Sequence, residues 1–146
     1  MIEIRQGSIE EIVALSQKIP ELKNPYGLED YKRKFNTKHI ILVATAENQI
    51  VGFKCGYERD PDTKKFYSWM GGVLPEFRKS GAAKLLLHHM EKWCLDEGYQ
   101  ILEFKTLNEH KAMLIFSLKY GFEIIDVVNS DKDLRKRIVL QKKLNP

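Results

Sequence analysis

Apolar positions along the chain change period several times, and each change marks an element. Residues 2–5 alternate apolar with charged and predict a strand. Ser8, with Glu11 three residues on, has the spacing of a capping box. Ile9, Ile12, Val13, Ser16 and Ile19 then recur at helical intervals until Pro20. Residues 23–27 (Lys-Asn-Pro-Tyr-Gly) are rich in turn formers, and Leu28, Tyr31, Lys32 and Phe35 predict a short amphipathic helix. Strands over 39–46, 50–58 and 66–73 follow, separated by turns at 47–49 and 60–64. Residues 79–81 open a long helix whose apolar stripe is Ala83, Leu86, Leu87, Met90, Trp93 and Cys94, with Gly98 just past its end. A strand over 101–106, a helix over 109–119, a sharp exit at Gly121-Phe122 and strands over 123–128 and 138–144 complete the pattern.

The order β-α-α-β-β-β-α-β-α-β-β predicts one α+β domain over residues 1–146, a mixed sheet flanked by helices. The three middle strands pair antiparallel through hairpins. The crossover from Val73 through the long helix to Ile101 makes its two strands parallel and right-handed.

Composition narrows the class. The 146 residues are 43% apolar and 30% charged, ordinary globular usage that excludes disorder, a disulfide scaffold and a fibre. Apolar runs such as 40–44 are too short to span a bilayer. The first residues lack a basic-then-apolar leader, so the expected compartment is the cytoplasm, without membrane attachment. Cys55 and Cys94 have no neighbour at metal-ligand spacing and read as two buried thiols. His88 and His89 lie only about 100° apart on a helix, one exposed and one at a rim. His39 and His110 have no carboxylate or Cys partner at ligand spacing, and no metal is expected. The net charge of +4 resides beyond residue 128, where six basic side chains (Lys132, Arg135, Lys136, Arg137, Lys142, Lys143) face two acidic ones (Asp131, Asp133). That excess is too small for a nucleic-acid face, and residues 135–137 read as a solvated loop before the last strand.

The chemistry concentrates where a strand runs into the long helix, Val73-Leu74-Pro75-Glu76-Phe77-Arg78-Lys79-Ser80-Gly81-Ala82-Ala83. A helix N-terminus exposes unpaired N–H groups and a partial positive charge, which suit phosphates. Gly81 lets backbone approach a ligand, Ala82 and Ala83 keep the next turn thin, and Arg78 and Lys79 add charge at the rim. A P-loop ending at Lys79-Ser80 needs glycines where Val73 and Arg78 stand, and a dinucleotide fingerprint needs three glycines where only Gly81 occurs.

This segment resembles the acyl-CoA signature of the GCN5-related N-acetyltransferases, Gln/Arg-x-x-Gly-x-Gly/Ala, here Arg78-Lys79-Ser80-Gly81-Ala82-Ala83. Val73-x-Pro75-x-Phe77 before it, Glu103 five residues before Asn108, the late Gly121-Phe122 pair and the element order match as well, over nearly the whole chain. The resemblance implies a sheet splayed between the strands at 66–73 and 101–106. Backbone at Gly71, Gly72 and Val73 would pair with pantetheine, N–H groups from Lys79 to Ala83 would hold the pyrophosphate, and Asn108 would border the cofactor. It implies acetyl transfer from acetyl-CoA to an amine acceptor, with no metal or nucleic acid, and leaves a homodimer open.

The family's leaving-group acid, a Tyr four residues before the late Gly, is Ser117 here, and the 13-residue spacing from Asn108 to Gly121 is about two longer than usual. The same signature without turnover describes an acyl-CoA-binding module, the second reading. Glu103 is the candidate base; a solvent-facing Glu paired with Lys105 is the plainer alternative. Exposing the lone pair of an amine of pKa about 10.4 at pH 7 costs about 4.6 kcal/mol, against about 2 kcal/mol for expelling a thiolate of thiol pKa about 8.5. A base therefore matters more than an acid. Tyr26, Tyr57, Tyr67 and Trp69 are candidates to line the acceptor pocket, or else core aromatics.

Overall fold

The computed structural model describes residues 1–22, 25–129 and 135–145. Lys23 and Asn24 of the predicted turn, and Asp131, Lys132 and Asp133 of the basic segment, lie outside the described residues. The strands are β1 (Glu3–Gln6), β2 (His39–Ala46), β3 (Gln49–Tyr57), β4 (Lys65–Val73), β5 (Ile101–Leu107), β6 (Glu123–Asn129) and β7 (Lys136–Lys143). The helices are α1 (Ile9–Ser16), α2 (Leu28–Lys34), α3 (Ala82–Asp96) and α4 (Lys111–Lys119). The predicted order and the α+β class hold.

Boundaries moved for local reasons. α1 stops at Ser16; beyond it Lys18 and Ile19 donate to the carbonyls three residues back, a tightened last turn that Pro20 cannot continue. A 3-10 turn at Pro75–Phe77 precedes α3. On α3 the buried stripe is Ala82, Leu86, Leu87, Met90 and Cys94, so Ala82 takes the inward place expected for Ala83, which is exposed. Lys136 and Arg137 belong to β7 rather than to a loop: Arg137 pairs with both β5 and β6, and Lys136 with β6. His88 and His89 are both exposed.

Among the described residues seven strands form one sheet, in the order β1-β2-β3-β4-β5-β7-β6. Side chains alternate between its faces. On β3, Gly52 lies under Leu86 of α3, so Gly52, Lys54 and Gly56 face α3 while Val51, Phe53, Cys55 and Tyr57 face the α1–α2 layer. Gly72 of β4 lies against Ile19 at the end of α1, where a Cβ would come within 2.9 Å of the Ile19 side chain. Fully buried Phe53, Phe66, Leu86, Leu87, Met90 and Leu102 carry the core on the two faces. Truncating one of them to Ala costs about 2–5 kcal/mol.

One irregularity organises the rest. Cys55 pairs with Met70 but its neighbour Gly56 pairs with Ser68, which leaves Trp69 as the extra residue of a bulge in β4. β4 and β5 are parallel, and they pair only through Lys65–Ile101, Phe66–Leu102 and Tyr67–Glu103. Both strands run on, β4 to Val73 along β3 and β5 to Leu107 along β7. The bulge sharpens the twist of β4 just where pairing stops, and the two strands part.

Candidate functional site

The parting leaves a gap bordered by Ser68–Val73 on one side and Phe104–Leu107 on the other. The β5-facing backbone of β4 beyond Tyr67 has no strand to pair with; Gly71 and Val73 present their backbone groups there, whereas Gly72 between them turns its own to Phe53 of β3. The Val73 carbonyl accepts from Arg78 Nε at 3.2 Å.

At the open end of the gap the chain turns into α3 through two left-handed residues, Lys79 (φ 66°) and Gly81 (φ 92°). A non-glycine at Gly81 would be strained by that φ, although a Cβ there would meet nothing within 4 Å. Ser80 N–H donates to the Phe77 carbonyl at 3.3 Å and Ala82 N–H to Ser80 Oγ at 3.3 Å. No acceptor among the described residues takes the N–H groups of Lys79, Gly81, Ala83 or Lys84. Four open donors around a helix start form an anion cradle, the chemistry a diphosphate needs. Lys84 was not foreseen; as the third residue of α3 it is one of the orphan donors every helix start leaves.

Arg78 is placed differently from the expected rim cation. Its guanidinium donates to both oxygens of Glu21, at 2.6 and 2.7 Å, and the Arg78–Glu21 hydrogen bonds hold that carboxyl below its ordinary range. Asn108 is exposed just beyond β5; its N–H donates to the Lys136 carbonyl and its Oδ1 accepts from Lys111.

On the α1–α2 face, the last paired rung brings Tyr67 and Glu103 side by side. Gln141, opposite Glu103 on β7, donates to Glu103 Oε1 at 2.6 Å, and Arg59 lies 3.8 Å from Oε2. Lys105 is not its partner. Glu103 opens into a cavity of about 260 Å³ with Arg59, Lys65, Phe66 and Tyr67 in its wall. Burial pushes the Tyr67 phenol up to about 12, so it keeps its proton at neutral pH. Tyr57 meets Tyr67 and Trp69 at ring separations of 5.7 and 5.6 Å, and Tyr26 meets Trp69 at 5.1 Å. The four aromatic residues singled out in the sequence thus form one cluster, joined by Tyr31 and Phe35 of the second helical segment.

Ser117 lies elsewhere. It is 2% exposed, and its hydroxyl donates to the Met113 carbonyl at 2.8 Å, one turn back in α4. Glu58 turns to the α3 side and accepts from Tyr99 at 2.9 Å. Cys55 and Cys94 are free and buried, and burial pushes both thiols up to about 12, so neither is a nucleophile at neutral pH. Among the described residues no helix is long and apolar enough to cross a membrane.

Arg59, Glu21 and Gln141 escaped the sequence reading. Gln141 follows from the β5–β7 register, which sequence does not supply. Arg59 had a readable signal, a basic residue at the mouth of the hairpin two positions past Tyr57.

Comparison with known proteins places this geometry. The model of the acetyltransferase (GNAT) family matches residues 9–122. Among solved structures, the ribosomal-protein-S18-alanine N-acetyltransferase from Escherichia coli superposes with a TM-score of 0.84 at 12% identity, covering 100% of this chain and 96% of that one. Ard1 from Thermoplasma volcanium gives 0.83 at 18% identity, over 99% of each chain. An aminoglycoside 6'-N-acetyltransferase complexed with coenzyme A gives 0.78 at 19% identity, over 99% of this chain and 98% of that one.

Proposed function

The chain belongs to the GNAT acetyltransferase family, and from that premise we propose that it transfers an acetyl group from acetyl-CoA to an amine, both bound together. The observation that carries this reading is the gap between β4 and β5, closed at the Tyr67–Glu103 rung and open beside the four free N–H groups of Lys79, Gly81, Ala83 and Lys84.

Acetyl-CoA supplies the thioester, whose C–S bond breaks as the C–N bond to the acceptor forms. The cradle N–H groups bind its diphosphate, and the β5-facing edge of β4 offers the backbone groups of Gly71 and the N–H of Val73 to the pantetheine amides, the Val73 carbonyl being held by Arg78. Glu103 takes the proton from the amine, directly or through one water, as nitrogen attacks the thioester, the work of a positioned base. Gln141 fixes one carboxylate oxygen and leaves Oε2 toward the cavity. Tyr26, Tyr57, Tyr67 and Trp69 line the acceptor side. Ser117, whose proton is committed to Met113, is assigned a packing role, and the departing thiolate takes its proton from water.

That committed Ser117 hydroxyl favours one rival, a module that binds acetyl-CoA without turnover. Assaying CoA release over a panel of amines separates the two. Amine-dependent release supports transfer; tight acetyl-CoA binding with no release for any amine supports the module.

A further inference from the structure

Resting on the transfer reading, we propose that Arg59, with Lys65, binds a carboxylate carried by the acceptor, so that the acceptor is a small amino acid-like amine. Arg59 lies in the hairpin between β3 and β4, with its guanidinium carbon 4.5 Å from the centre of the Tyr67 ring. The ring holds the cation in place without using its N–H groups. Among the described residues nothing accepts a hydrogen bond from this guanidinium; its nearest anion is Glu103, at 3.8 Å. Lys65, on the same wall of the cavity, has no side-chain ion pair or hydrogen bond among the described residues. Asp60, also in the wall, turns one oxygen to its own hairpin, where it accepts from Asp62 N–H at 3.0 Å.

The cofactor does not account for these cations. The cavity lies at the N-terminal end of β4, and the cradle follows its C-terminal end. Eight residue steps at about 3.3 Å each separate Lys65 from Val73, about 26 Å, so the diphosphate stays at the other end of the gap. What the cavity offers is one carboxylate for an ammonium and, 3.8 Å from it, an unfilled planar fork for an anion. A ligand whose amine and carboxylate sit one or two carbons apart bridges both. A polyamine would bring a second cation against Arg59 and Lys65, and a neutral amine would leave both unmatched.

The test compares free amino acids with their carboxamides and decarboxylated amines as acceptors, for the wild type and for Arg59→Ala, Arg59→Lys and Lys65→Met. Arg59 is 44% exposed at its side chain and Lys65 is exposed, so these variants fold. Wild type is expected to prefer the carboxylate at least tenfold in kcat/KM. Arg59→Ala raises KM for the amino acid at least tenfold more than KM for the carboxamide, so that the preference for the carboxylate is lost; Arg59→Lys recovers part of the loss. Equal or better turnover of the carboxamide or decarboxylated amine by wild type overturns the proposal while acetyl transfer stands, as does an Arg59→Ala variant that lowers all acceptors alike. If no amine releases CoA, the transfer reading fails, and calorimetry on the CoA-saturated protein decides this one. Amino acid binding lost in Arg59→Ala supports the anion site, and no binding overturns it.

Discussion

Arg78 clamps Glu21 with both ends of its guanidinium, at 2.6 and 2.7 Å, while its Nε holds the Val73 carbonyl at 3.2 Å. One side chain therefore ties the segment after α1 to the end of β4 and to the start of the cradle. Both partners are about half exposed, so the pair itself contributes little to global stability, on the order of 0.2–1 kcal/mol. Its weight is positional. Glu21→Gln and Arg78→Met are each expected to weaken acetyl-CoA binding severalfold, and the double variant to be no worse than either alone. Titration calorimetry of the three variants checks this. Tighter binding in Glu21→Gln would mean that Arg78 reaches the diphosphate itself once released.

Gly81 separates backbone strain from charge. With φ at 92° and open space for 4 Å around the position a Cβ would take, Gly81→Ala suffers only the left-handed penalty, about 1–2 kcal/mol. Its melting temperature falls and acetyl-CoA binding weakens modestly. Gly81→Asp adds a carboxylate beside the open N–H groups of Ala83 and Lys84, which it can fill from within the chain. It is expected to remain folded and to lose acetyl-CoA binding altogether. Thermal melts with and without acetyl-CoA read both effects; unchanged affinity in a folded Gly81→Asp would put the cradle elsewhere.

Glu103 and Ser117 divide the catalytic prediction. Glu103→Gln should lower kcat by about 10²–10⁴-fold at pH 7, with the deficit shrinking at high pH as the amine becomes neutral on its own. Ser117→Ala removes a hydroxyl that serves only Met113 and should leave the pH–rate profile of wild type in place. Full activity in Glu103→Gln together with a loss in Ser117→Ala would reverse the assignment.

The sequence displayed the elements and their order because hydrophobic period, the Ser8–Glu11 cap and the Gly98 stop are local signals. Gly98 indeed sits at φ 90° just past α3. The cradle was legible for the same reason, since Gly81 and the helix start are neighbours in the chain. What stayed hidden depends on register. The bulge at Trp69 exists only relative to β3, and the contact of Gln141 with Glu103 joins residues 38 apart. Ala82 and Ala83 differ by about 100° on a helix whose first residue sequence fixes only approximately. Arg78 read as a free cation because Glu21, 57 residues away, carries no mark of its destination.

The capping box of α1 makes a pH prediction. Glu11 accepts from Ser8 N–H at 2.9 Å and pairs with Arg5, and these partners, the Arg5 hydrogen bond first, lower its carboxyl to about 2 from 4.5. A depressed carboxyl contributes stability that is whole above pH 4.5 and is lost as pH falls toward 2. Glu11→Gln keeps an acceptor for the Ser8 N–H and loses the ion pair with Arg5, so it should cost about 0.2–1 kcal/mol at pH 7. The gap between wild type and variant should narrow in denaturant melts from about pH 6 down to about pH 2.5; a gap constant over that range would show that the charge of Glu11 contributes nothing.

Amide hydrogen exchange of the whole chain with and without acetyl-CoA bears most directly on the central claim, because the claim concerns particular N–H groups. Acetyl-CoA is expected to slow exchange at Lys79, Gly81, Ala83 and Lys84 and on β4 at Gly71 and Val73, leaving the β1–β2 edge unchanged. Exchange at those amides that stays the same in millimolar acetyl-CoA, or protection confined to another part of the sheet, would contradict it.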